Sequence, residues 1–546
     1  MDDSPSQHSS GGLSSQRFAA RSVCALLITI TFAFQVGRLT HFHSTDVHTQ
    51  LPFFGANDSS QWATVCALGD EGTYVLDHIC FDASGDPING WHTRDLVQHR
   101  GEDGNIHYYS SNPTLLPMIM AGEYWLIRDL TSATFDQHTF FVTRILLALT
   151  NLLPLVLAQY LLLRMIERHT LTDWALVFCA AMVCFGTFMT TFAVTLNNYL
   201  VSAVSLTVAL SALLPVWYSG ERAWWRFTLG GLSLGFLIAN ELPALSVGII
   251  VVIGLALKDR VRVVVALLPS LLLVGVCAIA TNIIAHGSWR TPDAHLRDRR
   301  VVATVPSKSN VSLIDPVVAA GFVQQTLACG LQFEGPSQLE QLVRGERWIL
   351  CDGSKRSTRS VVINWALYDS EGAQIGMRPL GKWIDYDGSD WALDNVRNHD
   401  RGERSSVVYA FNVILGHHGL LSLTPAWCFS AFGCTVWMLR GNRDEKGIAT
   451  MIAIVTIAVL AYYLVRPQIE RDYEGSTCCF RQMIWLTPLW LLSLAPALDI
   501  LSQSVMGRAI GIATLFVSVF SSHYSAGNPW SSPWVFDCCV ALGILE

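Results

Sequence analysis

Several groups of residues in this chain have the types and spacing to do chemistry. The tract Asn57-Asp58-Ser59-Ser60-Gln61-Trp62 puts a carboxylate at the head of an amphipathic run. A carboxylate there can take a proton from an attacking hydroxyl or amine, or cap the helix that follows, and the two roles are compatible. Asp58-Ser59-Ser60-Gln61 has the form of a capping box, with Asp58 as the N-cap. Asp70-Glu71, before Gly72, reads as the solvated end of the same helix. Further on, Tyr108-Tyr109-Ser110-Ser111-Asn112-Pro113-Thr114-Leu115-Leu116-Pro117 offers Tyr109 and Asn112 as substrate contacts just before an apolar helix. Pro113 suits the first turn of that helix.

Cations and imidazoles come later. Arg466, Arg471 and Arg481 flank Tyr473-Glu474-Gly475. Guanidinium groups fit phosphate oxygens, although arginines at a membrane surface also contact lipid head groups. His417-His418 can bind a metal, donate to phosphate, or satisfy local backbone. Glu241 stands in an apolar region, with Asn197 and Asn198 expected at the same depth. An ionisable residue there is costly and points to a polar cavity.

The elements that must position these residues are membrane spans. The chain has 546 residues, 51% hydrophobic and 14% charged, with a mean hydropathy of +0.37. A soluble domain carries roughly 25% charge. The net charge of −7 excludes a basic nucleic-acid binder. A span needs about 20 mostly apolar residues, and about eleven candidates follow: 22–39, 145–166, 172–191, 198–217, 227–240, 244–257, 262–284, 415–439, 447–465, 483–500 and 508–523. Short basic links mark the cytoplasmic side: Arg164/Arg168, Arg222/Arg226, Lys258/Arg260/Arg262, Arg440/Arg443/Lys446 and Arg508. They fit an inside N-terminus and long outer loops, provided that 227–257 is two short helices. Gly230-Gly231 and Asn240-Glu241-Leu242-Pro243 predict that break. The first apolar run is read as an uncleaved anchor, not a signal peptide.

The fold class is therefore an all-α polytopic membrane protein with a small α/β or β-rich extracytoplasmic insert. Residues 1–20 read as a disordered cytoplasmic tail and 21–284 as a transmembrane region that includes the first outer loop, 40–140. An insert follows at 285–410, then C-terminal spans at 411–523 and an outer tail at 524–546. Residues 113–130 read as an interfacial helix. In the insert, Arg347–Cys351 and Ser360–Leu367 are strand-like. There Trp383, Tyr386 and Trp391, with Asp385, Asp387 and Asp390, either line a sugar site or form an aromatic edge with solvated acids. Of the cysteines outside the spans, Cys66/Cys80 and Cys329/Cys351 are the plausible disulfide pairs. Their spacing does not make a zinc site. No motif fixes a cofactor, and a divalent metal stays open.

Residues 20–285 resemble the GT-C superfamily of membrane glycosyltransferases, such as protein O-mannosyltransferases and the aminoarabinose transferase that modifies lipid A. Asp58 occupies the place of the acid in that family's first outer loop. Tyr109-Ser110-Ser111-Asn112-Pro113-Thr114-Leu115-Leu116 looks like its Y-x-x-K-P-P-L-L segment, and the break at Asn240–Pro243 resembles its pair of short helices, which often carries a Thr-Lys-Gly turn. Gly416–Pro425 resembles uncharacterised bacterial membrane proteins of this broad type. Asn112 stands where the family has Lys, Glu241 where Lys is common, and Asn57-Asp58 where two acids are frequent.

The resemblance implies an enzyme of the cytoplasmic (inner) membrane that moves a sugar from a polyprenyl-phosphate donor to a lipid, glycan or protein acceptor on the outer face. Asp58 would be the base. Tyr109, Asn112, Asn197, Asn198, Glu241, His417, His418, Arg471 and Arg481 would be the substrate contacts. Membrane lipids are the remaining partners. Two rivals stand beside it: a transporter with its polar site at the broken hairpin, and a non-catalytic scaffold of the same architecture.

Overall fold

The computed structural model describes residues 10–41, 51–295, 303–306, 337–341, 348–352, 361–364, 368–369, 372–379, 403, 405–466, 471, 473 and 477–545. Its main helices are α1 (Ser10–His41), α2 (Ala56–Asp70), α3 (Leu115–Thr131), α4 (Phe135–Ile166), α5 (Asp173–Phe185), α6 (Asn198–Ser219), α7 (Trp224–Asn240), α8 (Leu242–Ala256), α9 (Arg260–His286), α10 (Ser406–Ile414), α11 (Trp427–Arg440), α12 (Arg443–Leu464), α13 (Arg481–Leu501) and α14 (Val505–Tyr524). Among the described residues, eight helical stretches are long and apolar enough to cross a bilayer. The chain is an integral membrane protein built mainly of helices.

Local sequence explains most helix ends. Thr172 caps α5 by accepting from Ala175 N–H, Asn197 caps α6 by accepting from Leu200 N–H, and Asn442 forms a capping box with Glu445 at α12. Both π turns, Ala148–Leu152 in α4 and Val263–Leu267 in α9, lie just ahead of a proline, Pro154 and Pro269. A proline removes one ladder donor and crowds the preceding turn, which then widens. The predicted break after Asn240 is present: Glu241 is extended (φ −136°, ψ 96°) between α7 and α8. The run at 415–439 is broken as well, into Leu420–Leu423 and α11, on either side of Pro425.

By internal contacts the chain divides into two units, residues 1–58, 122–278 and 403–546, and residues 59–121 and 279–402. In the first unit, helices pack closely through small residues. A Cβ on Gly231 would collide with Ser270 Oγ and the Leu267 carbonyl of α9, and one on Gly433 with the Ser493 carbonyl of α13. Charged links gather at one end of this unit. There Arg21 pairs with Glu167 at 2.5 Å and Lys258 with Asp444 at 2.6 Å. Buried Asp499 accepts from Leu171 N–H (2.7 Å), Thr172 N–H (2.8 Å) and Thr172 Oγ1–H (2.9 Å). At the opposite end, Arg38 donates to the Thr190 and Thr191 carbonyls, and Thr191 Oγ1 donates to the Ser522 carbonyl at 2.6 Å. Outward-facing Leu26, Ile30 and Phe34 of α1 and Leu272, Leu273 and Val276 of α9 are exposed, as side chains that face lipid tails are.

The second unit holds a β-hairpin, β1 (Leu96–Arg100) and β2 (Ile106–Ser110), paired antiparallel with Val97 opposite Tyr109. Gly104 closes it at φ +81°. Ala63, Ala67, Leu76, Cys80 and Leu96 form a small core beneath it. Cys66 and Cys80 are both buried and unbridged. The insert is β-rich as expected: β3 (Ala303–Pro306), β4 (Ser337–Gln341), β5 (Trp348–Asp352), β6 (Val361–Asn364), β7 (Tyr368–Asp369) and β8 (Gly372–Pro379) pair antiparallel in the order β3-β8-β6-β5-β4, with β7 on β8. Trp383, Asp385, Tyr386, Asp387, Asp390, Trp391 and Cys329 lie outside the described residues, as do residues 1–9 of the expected tail.

Candidate functional site

Asp58 lies in the first unit, fully buried. Because α2 begins at Ala56, Asp58 falls within the first turn and is not the N-cap that its capping-box sequence predicts. Its carboxylate reaches back instead. Oδ2 accepts from Phe54 N–H at 3.0 Å, and Oδ1 accepts from Leu196 N–H at 2.9 Å. The second bond ties the first outer loop to the turn that enters α6.

That turn is where several predicted residues meet. Asn197 is consumed by structure: Oδ1 caps α6, and Nδ2 donates to the Phe192 carbonyl (2.9 Å) and the Thr195 carbonyl (2.8 Å). Asn198 is buried, and its amide oxygen has no hydrogen-bond partner among the described residues. Trp530 Nε1–H donates to Thr195 Oγ1 at 3.1 Å, and its ring packs against Gly55, where a Cβ would approach to 3.1 Å. Arg481, at the head of α13, lays its guanidinium over the Trp530 ring (4.4 Å) and the Tyr199 ring (5.4 Å). The faces of aromatic rings attract the charge of a guanidinium beside them. Asp58, Asn197, Asn198 and Arg481 thus share one neighbourhood.

A second group in this unit surrounds the histidine pair. His417 Nδ1 and His418 Nδ1 lie 2.5 Å apart, so one ring donates to the other. Tyr473 stacks on His418 (5.4 Å, 14°) and accepts from Asn412 Nδ2 at 3.0 Å. Burial pushes the His417 imidazole down to about 4 against the pull of Glu403. Burial pushes His418 to about 3, and His417 adds to that lowering. Both rings are therefore neutral near pH 7. His418 also borders a small apolar pocket that Phe188, Leu423, Trp427, Met483 and Trp490 help to line. Arg471 is bound to backbone, Nε to the Arg466 carbonyl (3.1 Å) and a terminal nitrogen to the Glu403 carbonyl (3.0 Å). Glu241 is held in its own hairpin, its N–H donating to the Leu237 carbonyl at 2.9 Å and its carbonyl accepting from Ala244 at 3.0 Å.

Tyr109 and Asn112 belong to the second unit. Tyr109 stacks on His99 (4.0 Å, 3°), whose Nε2 lies 3.1 Å from His286 Nδ1. Asn112 Nδ2 donates to Ser60 Oγ (2.8 Å) and Asp95 Oδ2 (3.2 Å), with Ser110 Oγ at 3.3 Å. Asp95 is the buried acid that sequence reasoning did not single out. Ser111 Oγ–H donates to its Oδ1 at 2.6 Å, and Ser60 Oγ lies 3.4 Å from its Oδ2. The sequence signal was slight: Thr93-Arg94-Asp95 reads as an ordinary polar lead into a strand. Trp530 had a better one, in the Pro- and Trp-rich stretch Asn528–Trp534. Among the described residues, no group of three or more His, Cys, Asp or Glu is arranged to hold a metal ion.

No protein-family model matches the chain, and no curated protein matches it. Among solved structures it is similar to an oligosaccharyltransferase from Archaeoglobus fulgidus in complex with an inhibitory peptide and a dolichol-phosphate. The TM-score is 0.44 at 11% identity, over 95% of this chain and 56% of that one. It is also similar to a protein O-mannosyltransferase complex of S. cerevisiae bound to the sugar donor, with a TM-score of 0.45 at 12% identity over 96% of this chain and 92% of that one. The chain thus spans little more than half the length of the archaeal enzyme. Likenesses this loose carry neither residues nor activity across.

Proposed function

We propose that this chain is a GT-C-type glycosyltransferase of the cytoplasmic membrane, moving a sugar from a polyprenyl-phosphate donor to an acceptor on the outer face. One observation carries the reading: Asp58 and Arg481 both meet the Thr195–Tyr199 turn, Asp58 through Leu196 N–H and Arg481 through the Tyr199 and Trp530 rings. An acid and an arginine beside one turn are the two groups that an inverting transfer needs.

In that transfer the acceptor oxygen or nitrogen forms a bond to the anomeric carbon as the bond from that carbon to the phosphate oxygen breaks. The phosphate leaves with the electron pair, and the acceptor proton passes to a base. Asp58 is the proposed base. Each of its oxygens accepts from one backbone N–H, Oδ2 from Phe54 and Oδ1 from Leu196. Arg481, faced by two rings, supplies N–H donors to the departing phosphate. The acceptor is a lipid, glycan or protein bearing a hydroxyl or amine.

The two backbone bonds favour a second role for Asp58, a tie that holds the turn in place. Asp58→Asn separates the roles. The reading expects full-length Asp58→Asn to fold but to release polyprenyl phosphate from a polyprenyl-phosphate sugar at least 100-fold more slowly. Loss of folding in step with loss of release supports the tie. Full release by Asp58→Asn removes the base. Proton- or sodium-coupled uptake abolished by Glu241→Gln would favour a transporter instead.

A further inference from the structure

Two links of the first unit, 220–223 before α7 and 257–259 before α9, meet at its basic end. Arg222 Nε lies 3.8 Å from Asp259 Oδ2, and the Arg262 guanidinium lies 5.0 Å from the centre of the Trp224 ring. The acids here are already committed. Asp259 holds Arg262 Nη1 at 2.5 Å and caps α9 by accepting from Arg262 N–H at 3.2 Å. Glu221 holds Arg226 at 2.6 Å, and Arg226 lies over the Trp225 ring at 4.6 Å. Two carboxylates thus face four guanidinium groups. The two that reach outward are Arg222, whose side chain is 67% exposed, and Arg260, which is also exposed. The rim beside them is apolar: Trp224, Trp225, Leu257 and Val261 are each exposed over about half their surface or more.

At the opposite end of the unit, arginine is turned inward. Arg38 donates to the Thr190, Thr191 and Ala526 carbonyls, and Arg471 to the Arg466 and Glu403 carbonyls. Backbone absorbs the cations there, whereas at the 220–223 and 257–259 links they stand outside, in excess, beside apolar surface. Both α6 and α9 are long and apolar enough to cross a bilayer, and both end at these links, so the patch lies at head-group depth. We infer that the Arg222–Arg260 patch binds the head group of an anionic phospholipid. Arg222 and Arg260 donate N–H to the lipid phosphate. Trp224 and Trp225 take the interfacial level that indole rings favour, and Leu257 and Val261 meet acyl chains. An acidic protein segment would match the charge but leave that apolar rim unmatched. Arg222 precedes α7 and Arg260 follows α8, so a bound head group joins the two feet of the hairpin whose far turn carries Glu241. Such binding is independent of sugar transfer.

The test uses the full-length protein in detergent, with dioleoyl phosphatidylglycerol and dioleoyl phosphatidylcholine as probes and native mass spectrometry as the readout. A basic residue near an anionic surface contributes a factor of about five in affinity. Wild type is expected to bind phosphatidylglycerol roughly tenfold or more tightly than phosphatidylcholine. The double variant Arg222→Gln/Arg260→Gln is expected to bring the two lipids within about twofold of each other. Arg443→Gln/Lys446→Gln removes the same charge from another exposed link and is expected to keep a preference of about fivefold or more. Should the double variant at 222 and 260 fail to fold, Arg260→Gln alone is expected to narrow the preference about fivefold. An excess of inorganic phosphate is expected to leave the bound lipid in place, and its displacement would assign the patch to free phosphate and overturn the inference. Equal binding of the two lipids by wild type also overturns it. So does an equal loss of preference in Arg443→Gln/Lys446→Gln, which would make the effect a property of the whole basic end. Displacement of phosphatidylglycerol by poly-L-glutamate would give the patch to an acidic protein segment instead.

Discussion

Asp58 and Asp95 are both buried carboxylates on the same stretch of chain, and they are held in opposite ways. Asp58 accepts from two backbone N–H groups, Phe54 and Leu196. Asp95 accepts from side chains: Ser111 at 2.6 Å and Asn112 at 3.2 Å. A backbone donor is placed by the fold and cannot turn away, so a carboxylate on two of them is a fixture. A carboxylate surrounded by hydroxyls and an amide can be re-partnered by rotating those groups. The first geometry holds a turn in place, and the second ties Ser111 and Asn112 to a strand-leading acid.

The sharpest way to break this comparison is to remove both acids in turn. Asp58→Ala strands two buried backbone donors that lose charged partners, and should cost about 3–5 kcal/mol of stability. Chemical unfolding of the full-length protein in detergent would read it. Asp95→Ala should cost less, about 1–3 kcal/mol, because Ser60, Ser110, Ser111 and Asn112 can bond one another. Equal losses would erase the distinction.

Asp499 sharpens it further. It also holds backbone, through Leu171 and Thr172, but at the basic end of the first unit, where no candidate chemistry lies. Asp499→Asn should destabilise the protein by about 1–3 kcal/mol and leave the turnover of folded protein intact. An equal loss of turnover per folded molecule would show that the loss in Asp58→Asn does not mark a base.

The smallest effects are the pH slopes, which should have opposite signs in the two units. His417 and His418 are depressed from 6.5 by burial, to about 4 and about 3. Their neutral forms favour the folded state, so their contribution is present above 6.5 and is lost as pH falls toward 4. In the second unit His107 is raised above 6.5, first by its hydrogen bond to Asp77 at 2.7 Å. Its contribution is complete below 6.5 and is lost as pH rises through the raised value. Hydrogen exchange at pH 5, 7 and 8 should show protection around Tyr473 rising with pH and protection of the β1–β2 hairpin falling.

The parts of the fold legible in the sequence were those governed by local chemistry. Proline and glycine announced the break at Asn240–Pro243, and runs of apolar strand-formers announced strands at Trp348–Asp352 and Val361–Asn364. The interfacial stretch at 113–130 is helical from Leu115 to Thr131. Pro425 carried the same kind of signal but sits within an apolar run long enough to read as a single span. The β1–β2 hairpin was missed because Leu96–Arg100 has little apolar alternation, and the Asp103-Gly104 turn was its clearest mark. Within the site, Asp58 could be singled out by its place before an amphipathic run, but its partner Leu196 is 138 residues away. Asp95 has no local signature, since its meaning comes from three serines and an asparagine that only the fold assembles.

The central claim, that the Asp58–Arg481 neighbourhood transfers sugar from a lipid phosphate, is tested most directly by donor turnover. Full-length protein in nanodiscs would be given a panel of polyprenyl-phosphate monosaccharides, and released polyprenyl phosphate would be measured for wild type, Asp58→Asn, Arg481→Ala and Asp499→Asn. The account predicts release by wild type and Asp499→Asn, with loss of at least 100-fold in Asp58→Asn and Arg481→Ala at equal folded protein. Release by Asp58→Asn and Arg481→Ala at the wild-type rate would contradict it.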